Sequence, residues 1–238
     1  MNICRLLPYQ VADGPHNMAA DEALLESACA GVASLRVYGW SPATLSLGYF
    51  QSHHVREPIA LPYVRRPSGG MALVHHHELT YALALRAGRP WQDGRSWLTR
   101  MHEIIAAALA ELGVTVQAHR PPDQHAPGPL CFRHFTSGDL LIGSAKVVGS
   151  AQRRQRGAIL QHGGILLAQS PFAPELPGIR ELSGRSLGFE ETAAAIQQAF
   201  ASDTGWDIVT SRWTADEQSR IEELANEKYA RPEWKDRR

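Results

Sequence analysis

The chain has 238 residues, 24 basic against 24 acidic, and is 44% hydrophobic and 20% charged, proportions that suit one large globular domain or two small ones. No stretch approaches the roughly 18 consecutive apolar residues of a membrane span, the N-terminal MNICRLLPYQ lacks the layout of a signal peptide, and balanced charge argues against a nucleic-acid binder that works through bulk electrostatics. Three cysteines at irregular spacing, Cys4, Cys29 and Cys131, suit reduced thiols in a cytoplasm rather than a disulfide framework or a zinc site.

A first helix is predicted from about Met18 to Ala30, capped by Asn17, with Leu24, Leu25 and Ala28 on its buried face. Leu35–Tyr38 and Thr44–Phe50 read as strands separated by the turn Gly39-Trp40-Ser41-Pro42, and Met71–Leu85 reads as two more. Trp97, Met101, Ile104, Ile105, Ala108 and Leu112 recur at helical spacing, which predicts a helix over Ser96–Leu112 stopped by Gly113. The Pro-rich Arg120–Gly128 is a loop. Short strands follow at Asp139–Ile142, Lys146–Ser150 and Ile159–Leu167. A helix over Glu190–Ser202 comes next, and another starts at Thr214, with Glu217 completing a capping box. Strands grouped centrally, with helices before, between and after them, predict an α+β fold. The Pro-rich Ser170–Gly178 ends the core, leaving residues 179–238 as a helical C-terminal extension of a single domain spanning 1–238.

Four stretches could carry chemistry. In Arg65-Arg66-Pro67-Ser68-Gly69-Gly70 the glycines let backbone approach a ligand and the arginines could clamp an anion, though an ordinary turn explains the same residues. If His75-His76-His77-Glu78 is one strand, His75 and His77 face one way and His76 and Glu78 the other. Two histidines alone make a poor metal site, so no metal is assigned, with His162 the only further ligand considered. Only three of the 24 basic residues are lysines, and Lys146 stands apart from the C-terminal Lys228 and Lys235. It lies in the small, glycine-flanked run Gly143–Gln152, where it is either a weakly solvated, directional ammonium or an ordinary strand-surface residue. Cys131 is either an inert buried thiol or a nucleophile, the latter if positive charge stands beside it.

Taken together, five ordered segments resemble the lipoate–biotin protein ligase superfamily on its lipoyl/octanoyl side. They are Asn17–Leu25, Ser41–Gln51, Val64–Gly70 with His75, Lys146 with Gly149–Gln152, and Leu160–Gly163, with Lys228-Tyr229 and Glu233-Trp234 adding to them. The resemblance implies an α+β catalytic domain around a mixed sheet flanked by helices. It also implies an eight-carbon acyl substrate attached to one lysine of a lipoyl-carrier domain. That carrier is the glycine-cleavage H protein or a 2-oxoacid dehydrogenase subunit. By the same resemblance, Arg66, Ser68, Gly69, Gly70, His75, Gly149, Ser150 and Ala151 bind substrate, and Lys146 is catalytic.

The pattern Gly70–Tyr81, and Cys131-Phe132 placed ahead of Lys146, look most like the cysteine-dependent octanoyltransferases. These take octanoate from acyl carrier protein through an enzyme thioester and need no cofactor. The alternatives are an ATP- and Mg-dependent lipoate–protein ligase, an amidotransferase between carrier domains, and a non-catalytic carrier-binding protein that docks through Arg153, Arg154 and Arg156. Two features depart from the family pattern: His76 stands where an Asp is usual, and Ser52–Pro62 is short.

Overall fold

Alternation explains the central strands. In the segment Glu78–Arg86, Leu79, Tyr81, Leu83 and Leu85 enter one apolar cluster while Ala82 and Ala84 enter another on the opposite side of the same strand. A strand buried on both faces needs layers above and below it, and helices supply both. The computed structural model describes residues 2–57, 59–86, 96–125 and 128–238. Of the predicted Pro-rich loop, residues 126 and 127 lie outside that set.

In chain order the elements are β1 (Ile3–Leu6), β2 (Gln10–Ala12), α1 (Gly14–Cys29), β3 (Ser34–Trp40), β4 (Thr44–Leu47), β5 (Tyr63–Arg65), β6 (Leu73–His75), β7 (Glu78–Arg86) and α2 (Trp97–Glu111). Then come β8 (Gln117–Ala118), β9 (Gln124–His125), β10 (His134–Phe135), β11 (Leu140–Ile142), β12 (Ala145–Gln155) and β13 (Ala158–Leu166). The chain closes with α3 (Ile179–Ser183), α4 (Phe189–Thr204), β14 (Asp207–Thr210), α5 (Ala215–Leu224) and α6 (Pro232–Lys235). The large sheet runs β14-β1-β3-β7-β13-β12-β11-β8, with β2 also on β3. It is mixed: β14, β1, β2 and β3 pair in parallel, and every pair from β3–β7 to β11–β8 is antiparallel. Helices α2 and α4 pack together on one face, and α1 with α5 on the other. A small sheet, β5-β4-β6, carries its own apolar cluster. The fold is α+β, a mixed sheet flanked by helices. No described helix is long and apolar enough to cross a membrane.

Several boundaries differ from the sequence reading. Helix α1 starts at Gly14 because Asp13, not Asn17, caps it: the Asp13 side chain accepts from the His16 amide, and Pro15 sits in the first turn, where a missing N–H costs little. Asn17 is buried inside the helix and donates to the Ala12 and Gly39 carbonyls. Gly39 and Trp40 belong to β3, and the chain turns at the cis Ser41-Pro42 bond. The Thr214–Glu217 capping box forms as read. Residues 179–238 include a strand as well as helices: β14 extends the sheet beside β1. Lys228 and Tyr229 bind Glu22 of α1, and Trp234 Nε1 donates to the Arg65 carbonyl.

Candidate active site

A narrow cavity of about 50 Å³ opens where β12 and β13 meet the small sheet. Burial of its lining shows which way it runs. Met18, Tyr38, Trp40 and Thr80 are buried and close one end, whereas Gly70 is exposed and Met71, Cys131, Ser150 and Ala151 are half-buried at the mouth. Polar groups at the closed end bond to one another: Trp40 Nε1 donates to Thr80 Oγ1 at 2.8 Å, and the Trp40 ring stacks on His75 with centroids 3.8 Å apart. What remains facing inward is largely hydrocarbon.

Cys131 opens a short 3₁₀ turn and is pinned to the strand region opposite, its amide donating to the Ala72 carbonyl at 2.7 Å. Its Sγ lies 3.8 Å from Lys146 Nζ. Lys146 is buried on β12, and its other two contacts are Asp139 Oδ2 at 2.7 Å and the His134 carbonyl at 3.1 Å. An ammonium has three protons. All three are spent, one of them on the thiol. Lys146 is thus buried rather than a strand-surface residue, and Cys131 is half-buried beside it. His134 contributes its carbonyl here.

Asp139 is itself buried and fixed by the Thr136 amide and hydroxyl. Gly149 presses against the lysine stem, since a Cβ there would collide with Lys146 Cε and lie 2.8 Å from Nζ. Beside it, Ser150 Oγ is 2.6 Å from both Tyr81 Oη and His102 Nε2. His102 Nδ1 points at the Gly138 carbonyl, 2.7 Å away, and so carries the proton, leaving Nε2 to accept from Ser150. Burial pulls the His102 pKa below its ordinary value and pushes that of Tyr81 up to about 12, so both stay neutral near pH 7.

Arg65 and Arg66 are both buried and turned to backbone oxygens rather than presented as an anion clamp. Arg65 donates to the Gly48, Gln51 and Lys235 carbonyls. Arg66, which lines the cavity, donates to the Ser46 hydroxyl and to the Ser46, Gly69 and Met71 carbonyls. Burial among neutral acceptors lowers the Arg66 pKa. These bonds fix the Gly69-Gly70 turn. There, a Cβ on Gly48 would strike the Gly70 carbonyl, and Gly70 adopts φ +88°. Ser68 is buried behind the lining and pairs with Nε2 of His162, which lines the cavity and whose Nδ1 is 2.7 Å from Asp21. Asp21 is held in turn by Arg36 and Tyr38.

The His75–Glu78 run is not one strand. β6 ends at His75 and β7 begins at Glu78, so the pair closes across the turn, His75 Nδ1 lying 2.6 Å from Glu78 Oε1. His76 and His77 stack within that turn. Among the described residues no group of three His, Cys, Asp or Glu side chains is placed to hold a metal. Of the residues expected to form the site, Arg66, Gly70, His75, Cys131, Gly149, Ser150 and Ala151 line one cavity. Lys146 lies just behind the lining, and Ser68 and Gly69 brace it. Sequence reasoning missed Asp139 and His102, and it named Asp21 and Glu78 only within longer segments, without a role. A histidine in the apolar stripe of α2 was the one signal for His102.

Residues 13–173 match the model of the lipoyl protein ligase A/B catalytic domain. The octanoyltransferase LipM of Kyrpidia tusciae is 31% identical, with 98% of each chain covered. Among solved structures, a lipoate-protein ligase A bound with ATP superposes with a TM-score of 0.81 at 22% identity, over 99% of this chain and 98% of that one. A bi-partite lipoate protein ligase from Thermoplasma acidophilum, described with its E2 lipoyl domain, does so at 0.74 and 19%, over 99% and 96%. The chain belongs to the lipoyl protein ligase A/B catalytic-domain family.

Proposed function

We propose that this chain is an octanoyltransferase that moves an octanoyl group from acyl carrier protein to one lysine of a lipoyl-carrier domain through a thioester on Cys131. One observation carries the reading: Cys131 stands at the mouth of a blind, largely apolar cavity with the Lys146 ammonium 3.8 Å from its sulfur. A cation at that distance stabilises thiolate charge, and the cavity behind it suits an aliphatic chain. The full-length likeness to a LipM octanoyltransferase supports the same chemistry.

In the first half-reaction the Cys131 thiolate adds to the donor thioester carbonyl, and the donor thiol leaves as thiolate. In the second, the carrier lysine, as free amine, adds to the Cys131 thioester. Cys131 then leaves as thiolate and the amine gives up its proton. Lys146, already bonded to Asp139, His134 and Cys131, acts by holding and neutralising the sulfur in both steps. Amide formation from a thioester is downhill, so much of the remaining task is positioning. The likeness to an octanoyltransferase over nearly the whole chain favours an acyl group that arrives already activated.

Incubation with octanoyl-acyl carrier protein, without ATP, should add one octanoyl group to Cys131 by peptide mass spectrometry, and Cys131→Ala should abolish both adduct and transfer. Full activity in Cys131→Ala, or a requirement for ATP with free acid, would overturn the proposal.

A further inference from the structure

The rim of the cavity has a character that its interior lacks. Tyr49 and Phe50 meet edge to face with centroids 4.9 Å apart, and Phe50 is 67% exposed beside Gly69. Three guanidiniums converge on the two rings: Arg237 lies 4.3 Å and Arg153 5.8 Å from the Tyr49 centroid, and Arg238 5.2 Å from that of Phe50. All three arginines are exposed, and among the described residues none is paired with a carboxylate. Arg153 is two residues beyond Ala151, which lines the mouth, so both lie on the same face of β12. Arg154 points to the other face, which divides the basic run read from the sequence.

Gathered like charges around an exposed apolar ring leave two unmet demands, for negative charge and for hydrocarbon contact. The proposed reaction says which partner meets them. A lysine side chain is a four-carbon stem, so the acceptor must bring its backbone down to the rim for the amine to reach Cys131. A donor with a longer thioester arm need not come so close.

We propose that Arg153, Arg237 and Arg238 with Phe50 form the docking surface for the acceptor domain, which presents carboxylates around its target lysine. This inference rests on the proposed transfer reaction for its choice of partner, and its test separates the two. Binding of an unacylated lipoyl domain is measured by calorimetry at low and high salt. The proteins compared are wild type, Arg153→Glu/Arg237→Glu and the opposite-face control Arg154→Glu. Acylation of Cys131 by a small octanoyl thioester is followed on the same proteins.

Wild-type binding should weaken with salt, and the double variant should bind about tenfold or more weakly. The control should bind as wild type does, and all three should acylate Cys131 alike, which also shows that they are folded. Binding to the double variant should return when acidic residues beside the lipoyl domain's target lysine are changed to lysine. Wild-type affinity in the double variant, or equal loss in Arg154→Glu, would overturn the docking surface. If wild type binds through the rim but Cys131 is never acylated, the docking surface stands and the thioester reading falls.

Discussion

Changing Asp139 to Asn removes one charge from an ion pair whose side chains are each 3% exposed and whose atoms are 2.7 Å apart. Lys146 would then be a buried ammonium with no charged partner, left to neutral acceptors and the Cys131 sulfur. Breaking a buried pair from one side costs about 3–5 kcal/mol, and the amide oxygen left at position 139 points to the lower end of that range. For a chain of this size that is a fall in melting temperature of roughly 6–12 °C. Acyl-enzyme formation should fall as well, because the ammonium is no longer held against the sulfur. The double variant Lys146→Met/Asp139→Asn separates these effects. It has neither buried charge, and the side-chain amide introduced at position 139 can still accept from the Thr136 backbone N–H, so urea unfolding should show it about 2 kcal/mol or more above the single variant. Its Cys131 should stay unacylated. A single variant within about 0.5 kcal/mol of wild type, or a double variant no more stable than the single, would refute the argument.

Gly149→Ala places a methyl against the buried Lys146 stem and ammonium, which must shift against Asp139 and the Cys131 sulfur, so stability should fall by about 1–3 kcal/mol and single-turnover acylation on the order of 100-fold. Alkylation with iodoacetamide near pH 8, read by peptide mass spectrometry, should modify Cys131 well before Cys4, whose pKa burial pushes up to about 12. Burial also lowers the pKa of His75 and His102, so between their folded values and the ordinary 6.5 the unfolded chain binds more protons. Urea midpoints should therefore fall as pH drops below about 6.5, and His102→Gln should flatten the decline. At His16 burial pulls the pKa down, but hydrogen bonds and charge from Asp13 and Glu222 outweigh it, so its contribution has the opposite sign.

Much of the architecture was legible because it rests on local rules. The two-residue period of Glu78–Arg86, the apolar stripe of α2 and the Thr214 capping box each depend on residues close in sequence. Where a local rule had two solutions the reading slipped: Asp13 and Asn17 are both good caps, and Pro15 tips the choice to the first. β14 escaped because a four-residue edge strand has too little pattern to read, and only its partner β1 identifies it.

The site divides along the same line. Cys131 and Lys146 could be proposed as functional from their surroundings in the chain. Whether either was more than a core thiol or a surface lysine depended on a third residue, Asp139. The sequence reading makes Asp139 only the first residue of a strand, whereas it lies just before β11 and braces the turn there by accepting from the Thr136 amide. The β11–β12 hairpin folds back so that the same carboxylate oxygen also meets Lys146 Nζ, and the strand then delivers that ammonium to the sulfur. A turn residue thus becomes the anchor of the site through pairing register alone. For that reason the Asp139 variants test the proposed mechanism more sharply than removal of Cys131. Loss of the cysteine shows only that a thiol is needed. The double variant shows whether the ammonium beside it is needed for acylation once its contribution to stability has been taken away.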